Sequence, residues 1–355
     1  MRYMDKLTTL RAQWLAAQPL SQRKQYLLDK LFLVDYHYNT NHLEGNTLTY
    51  GQTELLLLLG KVSGESPLKD FVDMSASLVS MKMLEEEILR KAPLTQTFIR
   101  HLHKTLLRED YIQYHSLPDG TITSYTIHAG AYKSRPNSVI TLTGERFDYA
   151  SPEETPALMT DLVDWINDAI ETHCLAPTDL AALFHYRYIR IHPFEDGNGR
   201  MARLLTNYIL ARFDWPMVVV RNKNKREYLE ALHATDIEIG PSATDGAQAS
   251  LQQIRTFRKF FKKLVANDLK FRLDFTRESA PNVWWFDGEK IAFRSHTSST
   301  LLLAMQEEPD ISIRELAQIS GISTTAVQKQ LRNMIRRGFL LRHNSQWRVL
   351  ATSAI

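Results

Sequence analysis

The chain has one cysteine among 355 residues, and it lacks any long apolar run. A single thiol, Cys174, cannot form an internal disulfide, which excludes a small extracellular fold held together by disulfides. No apolar run reaches the roughly 18 residues that a membrane-spanning helix needs, and the N-terminus lacks the apolar segment of a signal peptide. We therefore expect a cytoplasmic protein with no membrane partner.

An excess of charge of one sign is also absent. The 43 basic and 40 acidic residues leave a formal net charge of +3, so composition alone does not demand a nucleic-acid partner. Hydrophobic residues make up 44% of the chain, which is ordinary for a globular protein. The length suits roughly two or three domains.

Most of the chain shows apolar residues at helical spacing, with one interruption. A helix is predicted at about 26–45, where Gly45 is a suitable C-cap. After about residue 117, turn residues surround short β-branched runs, which predicts a β-hairpin. We predict three regions, namely N-terminal helices at 1–110, a core at 111–275, and a linker with a small C-terminal domain at 276–355.

One stretch, HPFEDGNGRMAR at 192–203, concentrates residues suited to phosphate binding. Gly197 and Gly199 permit a tight loop whose amide groups can approach a ligand closely. A helical pattern starts directly after this loop, and a loop that enters a helix N-terminus is an anion site. Arg200 and Arg203 lie three residues apart, so they share a helix face and can bind phosphate oxygens together.

The same stretch carries an acid and a base. Asp196 is suited to hold Mg²⁺, because phosphate-bound Mg²⁺ usually needs only one or two protein carboxylates. His192 lies at the entrance of the loop, and imidazole is the side chain best suited to accept a proton near neutral pH. The pattern predicts attack of an external hydroxyl on a nucleotide phosphate, with His192 as the general base.

Residues 192–203 resemble the Fic motif, HPFx[D/E]GNGRxxR, without a departure. The resemblance implies an all-α fold, a mainly helical Fic core with a β-hairpin flap, and transfer of AMP from ATP to a Ser, Thr or Tyr hydroxyl of a target protein. It assigns the catalytic base to His192 and Mg²⁺ to Asp196. The residues that would hold the triphosphate are Gly197, Asn198, Gly199, Arg200 and Arg203.

Two further segments fit this resemblance. The flap would lie at about 136–144 and would pair with the main chain of the target, a mode of recognition largely indifferent to target sequence. Its candidate residues are Val139, Ile140, Thr141 and Leu142. The adenine pocket would contain Tyr228, Leu229 and Asp236, although the family often has a second tyrosine and a later asparagine there. Leu229 and Asp236 are therefore departures from the family pattern.

The segment Thr40-Asn41-His42-Leu43-Glu44-Gly45 resembles the inhibitory pattern [S/T]xxxE[G/N] of Fic proteins that carry an N-terminal inhibitory helix. The resemblance implies that Glu44 pairs with Arg203, the cation meant for the γ-phosphate. An Arg–carboxylate pair is strong and directional. ATP could still enter, but its α-phosphate would lack the geometry that catalysis by positioning requires.

The C-terminal stretch 312–342 resembles a winged helix. Ser312 and Ser323 are predicted to cap its two helices, and residues 338–350 alternate as a two-stranded wing would. Such a domain binds DNA or serves protein interaction, so DNA and a second copy of the chain both stay open as partners. The candidate DNA-binding face consists of Thr324, Thr325, Gln328, Lys329 and Arg332, with Arg336 and Arg337 near the wing.

Two alternatives to adenylyl transfer remain at this point. Glu44 could position a water that removes AMP from a modified protein, or a nucleotide-sensing core could control a DNA-binding transcription regulator. A zinc enzyme is not predicted, because the histidines at 101, 103 and 185 have no zinc-ligand spacing with cysteines or carboxylates.

Overall fold

The structure is a computed structural model, and it describes residues 2–116, 120–140 and 146–354. Within these ranges, the side chains of residues 2–5, 115–116, 139–140 and 146–147 are not described. None of the described helices combines the length and apolar character that crossing a bilayer requires.

Helices account for most of the described chain. In chain order they are α1 (Arg2–Ala16), α2 (Gln22–His42), α3 (Tyr50–Leu59), α4 (Leu68–Arg90), α5 (Gln96–Leu107), α6 (Thr155–Thr172), α7 (Pro177–Ile191), α8 (Asn198–Arg212), α9 (Lys225–Ile239), α10 (Ala243–Ala247), α11 (Arg255–Arg277), α12 (His296–Glu307), α13 (Ile313–Ser320) and α14 (Thr324–Arg336).

The strands are short and antiparallel. They are β1 (Tyr111–Ser116), β2 (Ile122–Ile127), β3 (Ser138–Ile140), β4 (Arg146–Asp148), β5 (Val283–Phe286), β6 (Glu289–Ala292), β7 (Leu340–His343), β8 (Gln346–Val349) and β9 (Thr352–Ser353). Strand β1 pairs with β2, β3 with β4, β5 with both β6 and β9, and β7 with β8.

In the described residues before α6 the chain forms two hairpins, whereas the sequence predicted one. The missed hairpin pairs Tyr111 with Ile127 and Ser116 with Ile122. Its second strand is exposed along most of its length, so it lacks the alternation of apolar and polar residues that marks a half-buried strand. Periodicity alone therefore gave no sign of this pair.

The chain forms two compact units. One comprises Met1–Tyr38, Thr47–Phe71 and Ala266–Ile355, and the other comprises Asn39–Asn46 and Val72–Val265. These units do not follow chain order, because the short segment 39–46 packs with residues far from it in sequence. The region boundaries at 110 and 275 stay a prediction.

The unit that contains 72–265 is built around α7 and α8. Helix α7 begins with Pro177 at its first position, where a missing N–H is tolerated. Nearly all of its residues are buried, and so are most residues of α8. Helices buried on nearly all sides lie in the centre of a protein, so the loop that joins α7 to α8 is supported by packed, buried helices.

The other unit contains the helix–turn–helix and its wing. Ser312 accepts a hydrogen bond from the Glu315 amide at the start of α13, and Ser323 accepts one from the Ala326 amide at the start of α14. These caps confirm the predicted helix starts. Strands β7 and β8 form the wing, and its Trp347 lies in one apolar core with residues of α12, α13 and α14.

Candidate active site

The loop between α7 and α8 brings the motif residues together. Helix α7 ends where His192 takes a left-handed backbone conformation, with φ of +50°. Helix α8 begins after Gly197, which has φ of +76°, a conformation that glycine adopts without strain. Asn198 braces the turn, because its side-chain amide donates to the Phe194 carbonyl at 2.7 Å and its oxygen accepts from the Phe194 amide at 3.0 Å.

His103 of α5 supports the same loop from outside. Its Nδ1 accepts a hydrogen bond from the Gly130 amide at 2.9 Å, so Nε2 carries the proton and donates to the Asp196 carbonyl at 3.0 Å. Its ring stacks on Phe194 with centroids 3.6 Å apart. Burial lowers the pKa of His103 to about 4, so the ring is neutral at physiological pH. Sequence reasoning assigned His103 no more than a structural role and missed its contact with the loop.

His192 has the geometry of a base. Its Nδ1 lies 3.3 Å from the Ile189 carbonyl, which places the proton on Nδ1 and leaves Nε2 as the acceptor. Its ring stacks on Tyr149 with centroids 3.9 Å apart. Burial lowers the pKa of His192 to about 3, and the charge of Lys133 adds to the effect. The imidazole is therefore neutral at physiological pH, and the lone pair of Nε2 is available to a proton donor.

A pocket of about 430 Å³ lies directly beside His192. The guanidinium of Arg135 lies over the Tyr125 ring at 3.3 Å. The carboxylate of Glu195 accepts from the Ser134 hydroxyl at 3.0 Å and lies 3.6 Å from Arg135. Aromatic rings, a cation and a base therefore line one small pocket. Its lining residues are Tyr125, Arg135, Pro136, Asn137, Ser138, Tyr149, His192 and Glu195.

Arg203 is held by the segment that matches the inhibitory pattern. Its Nε donates to the Thr40 hydroxyl at 2.9 Å, and its Nη2 donates to the Thr40 carbonyl at 3.0 Å and to Glu44 Oε1 at 2.7 Å. The guanidinium also hydrogen-bonds the Tyr228 hydroxyl. The structure thus brings Thr40 and Glu44 onto one arginine that is 159 residues distant from Glu44.

Glu44 lies over the glycine loop as well. A Cβ placed on Gly199 would meet Glu44 Oε1 at 2.5 Å and Arg203 Nη1 at 3.1 Å. Burial alone would raise the pKa of Glu44, but the charge and hydrogen bond of Arg203, together with Arg200, leave that pKa lowered. Glu44 is therefore an anion that occupies the mouth of the predicted phosphate loop.

The helix that carries the inhibitory pattern begins and ends a few residues earlier than expected. The α-helix ends at His42 rather than near 45, and Glu44 lies in the tighter turn that follows. The Glu44 amide donates to the Asn41 carbonyl and the Gly45 amide donates to the His42 carbonyl, at 3.0 and 3.1 Å. Such three-residue bonds satisfy the last carbonyls of a helix. The Lys225 ammonium also donates to the Leu43 carbonyl at 2.7 Å and ties this turn to α9.

Asp196 and Arg200 fit a magnesium-bound phosphate. Asp196 accepts from the Gly197 amide at 2.6 Å and from the Tyr111 hydroxyl at 2.5 Å, and its side chain is 43% exposed. Arg200 lies 3.8 Å from Asp196, and its buried Nε has no hydrogen-bond partner in the described part of the chain. The described residues contain no cluster of three metal-binding side chains. One carboxylate therefore suits Mg²⁺ only if phosphate oxygens and water supply the other ligands.

The predicted adenine-pocket residues have mixed surroundings. Tyr228 is buried, and its hydroxyl donates to His185 Nε2 at 2.8 Å. Asp236 accepts from the Tyr186 hydroxyl at 2.8 Å and from the buried Arg190 at 3.3 Å. Leu229 is 39% exposed. All three lie on α9, and their contact with a base stays a prediction.

The predicted flap overlaps β3 and β4. Val139 and Ile140 lie in β3, where their backbones pair with Phe147 and Arg146. Thr141 and Leu142 lie outside the described residues. The base of this hairpin is tied to the motif loop, because the Asn137 amide donates to the Phe194 carbonyl at 2.7 Å. Sequence reasoning missed Asn137, Tyr149 and Lys133, since no local pattern marks a residue that contacts a loop distant in sequence.

Two models of known sequence families match the chain. The Fic/DOC family matches residues 93–210, which include the whole motif. A family described as winged helix-turn-helix DNA-binding matches residues 294–340. Both matches agree with the sequence-based prediction of a Fic core followed by a winged helix.

Curated relatives match a little over half of the chain. Protein adenylyltransferase fic-1 of Caenorhabditis elegans is 31% identical over 202 residues, which are 57% of this chain and 36% of that protein. Protein adenylyltransferase fic-1 of Caenorhabditis briggsae is 29% identical over 228 residues, 64% of this chain and 41% of that protein. The chain spans about two fifths of the length of these relatives.

Solved structures share the fold. A Fic domain containing signaling protein from Bacteroides thetaiotaomicron has a TM-score of 0.71 and 46% identity, over 78% of this chain and 98% of that chain. A Fic family protein from Desulfovibrio desulfuricans matches 98% of this chain and 94% of its own, with a TM-score of 0.55 and 19% identity, and it shows the fold alone. The predicted fold class is confirmed.

Proposed function

The chain belongs to the Fic/DOC family, and on this premise we propose that it is a protein adenylyltransferase that transfers AMP from ATP to a hydroxyl side chain of a target protein. The observation that carries the proposal is the arrangement of His192, whose Nδ1 faces a carbonyl so that Nε2 is left to accept a proton beside a pocket open to a substrate. The glycine loop and Arg200 lie next to it in the sequence and supply the anion site.

The reaction follows from these positions. His192 Nε2 takes the proton of the acceptor hydroxyl as its oxygen attacks the α-phosphorus of ATP. A new O–P bond forms, the bond between the α-phosphorus and the bridging oxygen breaks, and pyrophosphate leaves. Backbone amides at the start of α8, with Asn198 bracing their loop, stabilise charge on the phosphates.

Mg²⁺ would be held by Asp196 and by phosphate oxygens. When bound, the ion supplies positive charge that stabilises the phosphoryl oxygens and the leaving pyrophosphate. The Tyr111 hydroxyl donates to Asp196 and keeps its carboxylate directed along one face of the loop. Asp196 otherwise retains an exposed oxygen edge that can accept a metal ion.

We propose that the protein restrains itself through Glu44. While Arg203 is bound to Glu44 and Thr40, it cannot bind the γ-phosphate of ATP. Catalysis by positioning depends on placement within fractions of an ångström. ATP bound without Arg203 would therefore have a misplaced α-phosphorus.

The acceptor in this proposal is a Ser, Thr or Tyr hydroxyl. It enters the pocket beside His192 while the β3–β4 hairpin pairs with the target backbone.

The test is incorporation of labelled AMP from ATP into protein, followed by mass spectrometry of a lysate. Glu44→Gly should raise incorporation strongly, and His192→Ala should abolish it in both the wild-type and the Glu44→Gly background. The proposal of transfer fails if Glu44→Gly with Mg²⁺ and ATP labels no protein. The proposal of restraint fails if Glu44→Gly labels no faster than the wild type.

The reverse reaction is measured in the same experiment. If Glu44 positions a water instead, wild-type protein should release AMP from a target that the Glu44→Gly protein has modified, and Glu44→Gly should not. Release by the wild type would make removal of AMP a second activity of the same site. No release would leave transfer as the single activity.

DNA binding by the C-terminal domain is a second candidate function. The face of α14 predicted to bind DNA is exposed, as expected for a recognition helix. A gel-shift assay across salt concentrations, with and without ATP, tests it, because neutralised phosphates make binding salt-dependent. Arg332→Ala should weaken binding, and a complex that is insensitive to this change would refute the assignment. The exposed residues are Thr324, Thr325, Gln328, Lys329 and Arg332.

A further inference from the structure

Lys133 is a buried cation that contacts the turn at the end of α7 in three places. Its ammonium donates to the carbonyls of Ile191 and His192, both at 2.9 Å. Its backbone amide donates to the carbonyl of Pro193, also at 2.9 Å. One residue thus satisfies three consecutive carbonyls, with the catalytic base in the middle of the three.

The end of a helix is a favourable place for this charge. The last carbonyls of α7 have no partner within the helix, and the helix dipole places negative charge at that end. Burying a lysine nevertheless carries a penalty, and Lys133 is only 3% exposed. Burial lowers the pKa of Lys133 to about 8, and the negative charge of Glu154 opposes that shift. An apolar side chain at position 133 would avoid this penalty, so the hydrogen bonds of the buried ammonium have a specific role.

The role of the Lys133 hydrogen bonds concerns the backbone conformation of His192. A left-handed conformation in a residue other than glycine is strained and persists only where its surroundings hold it. His192 has φ of +50°, and Lys133 holds the peptide on each side of it. This backbone orientation places Nδ1 against the Ile189 carbonyl, and the Tyr149 ring stacked on the imidazole fixes the plane of the ring.

We infer that Lys133 is a positioning residue for the proposed adenylyl transfer, which holds the His192 turn so that Nε2 faces the acceptor hydroxyl. It does not touch the substrate in this assignment, and it acts through His192. The inference rests on the proposed function for its kinetic test alone, since the state of the His192 ring can be measured without catalysis.

The charges around His192 set the expected direction of a pH effect. Lys133, from the loop before β3, lowers the pKa of His192, whereas Glu44, after α2, and Asp196, in the motif loop, raise it. Burial lowers it further and is the largest cause. Loss of the Lys133 charge removes one cause of the lowered pKa and leaves Asp196 facing the ring, together with Glu44 where that residue is intact. The pKa of His192 should therefore rise, and the protonated ring cannot act as a base at acid pH.

The kinetic test compares Lys133→Met, Lys133→Arg and a matched control, Lys259→Met, each in the Glu44→Gly background. Lys259 is an exposed lysine of α11 in the same compact unit. Lys133→Met should lower kcat for AMP incorporation about a hundredfold, as a misplaced reacting group does, with little change in the KM for ATP. Lys133→Arg should restore most of the activity, and Lys259→Met should have none of these effects.

The pH dependence separates positioning from a general loss of structure. In Lys133→Met, kcat should fall at a higher pH on the acid side than in the Glu44→Gly parent. If Lys133→Met instead lowers kcat by the same factor at every pH, and Lys133→Arg recovers none of the activity, Lys133 only stabilises the fold. Thermal melting of each variant shows whether it is folded.

Nuclear magnetic resonance gives a readout that needs no activity. In ¹⁵N-histidine-labelled protein with Glu44 intact, the His192 ring should stay neutral with its proton on Nδ1 through the physiological range. Lys133→Met should mix the two neutral forms of the ring or move its titration upward. An unchanged His192 spectrum would overturn the inference, whereas failure of Glu44→Gly to transfer AMP would overturn the proposed function and leave this measurement to decide the role of Lys133.

Discussion

Glu44→Gln is the sharpest test of the contact between Glu44 and Arg203, because it removes the charge and keeps the size of the side chain. The wild-type pair is a charge-assisted hydrogen bond of 2.7 Å, in which Arg203 is 4% exposed and Glu44 is 40% exposed. Hydrogen bonds to charged groups contribute about 1.5–3 kcal/mol. The exposure of Glu44 places this one at the low end of that range, because solvent screens it.

The expected result follows from that magnitude. A contact worth about 1.4 kcal/mol changes an equilibrium tenfold, so Glu44→Gln should free Arg203 about ten times more often and raise AMP incorporation by a similar factor. The glutamine oxygen can still accept from Arg203, and Thr40 still holds the same guanidinium through its hydroxyl and carbonyl. Glu44→Gly loses the whole side chain, so it should exceed Glu44→Gln.

The assay is the initial rate of labelled AMP incorporation at saturating ATP and Mg²⁺. Glu230→Gln is the matched control, since Glu230 forms an exposed ion pair with Arg226 within the same compact unit. That change should leave the rate as it is. A Glu44→Gln rate equal to or below the wild-type rate would refute the idea that the charge of Glu44 restrains the site, and so would a rate above that of Glu44→Gly.

Three further outcomes are expected. Gly199→Ala places a Cβ 2.5 Å from Glu44 Oε1 and 3.1 Å from Arg203 Nη1, so it should break the restraining contact and also obstruct the phosphate loop. AMP incorporation in a Gly199→Ala, Glu44→Gly protein should therefore fall below that of Glu44→Gly, and equal rates would contradict a phosphate role for this loop. The folded-state pKa of Glu44 lies below its ordinary 4.5, so its contribution to stability is present above that pH and disappears as the pH falls through the lower value. The difference in melting temperature between the wild type and Glu44→Gln should accordingly be constant near neutral pH and shrink in acid, whereas a difference that grows in acid would reverse the assigned sign. Asp179→Ala removes a buried carboxylate that Arg258 binds through two hydrogen bonds of 2.6 and 2.7 Å, and breaking such a pair costs about 3 kcal/mol, which chemical denaturation would detect as a lower midpoint with the slope unchanged.

The motif loop could be read from the sequence because its geometry is local. A glycine able to adopt positive φ, the start of α8 directly after it and the end of α7 directly before it all lie within residues 191–203. Backbone conformation and helix ends depend mostly on neighbouring residues. The same reasoning located Ser312 and Ser323 as caps of the helix–turn–helix, and both are confirmed.

Contacts between residues far apart in the sequence could not be predicted from local patterns. Lys133 reaches the Ile191 carbonyl across 58 residues and His103 reaches the Asp196 carbonyl across 93. Neither residue stands in a pattern that marks it, since a lone buried lysine or histidine has no periodicity. The β1–β2 hairpin escaped notice for a related reason, because its exposed second strand carries no alternation of apolar and polar residues.

The chemical groups of the site, their spacing along one loop and the helices on each side follow from the order of the amino acids, since these features depend on residues in direct succession. Which distant groups meet that loop follows from the folded chain alone. Arg203 meets Thr40 and Glu44 because the 39–46 segment packs in the same compact unit as α8. His192 keeps a strained backbone and a defined proton position because buried groups from elsewhere in the chain surround it, and such burial exists only once the chain has folded.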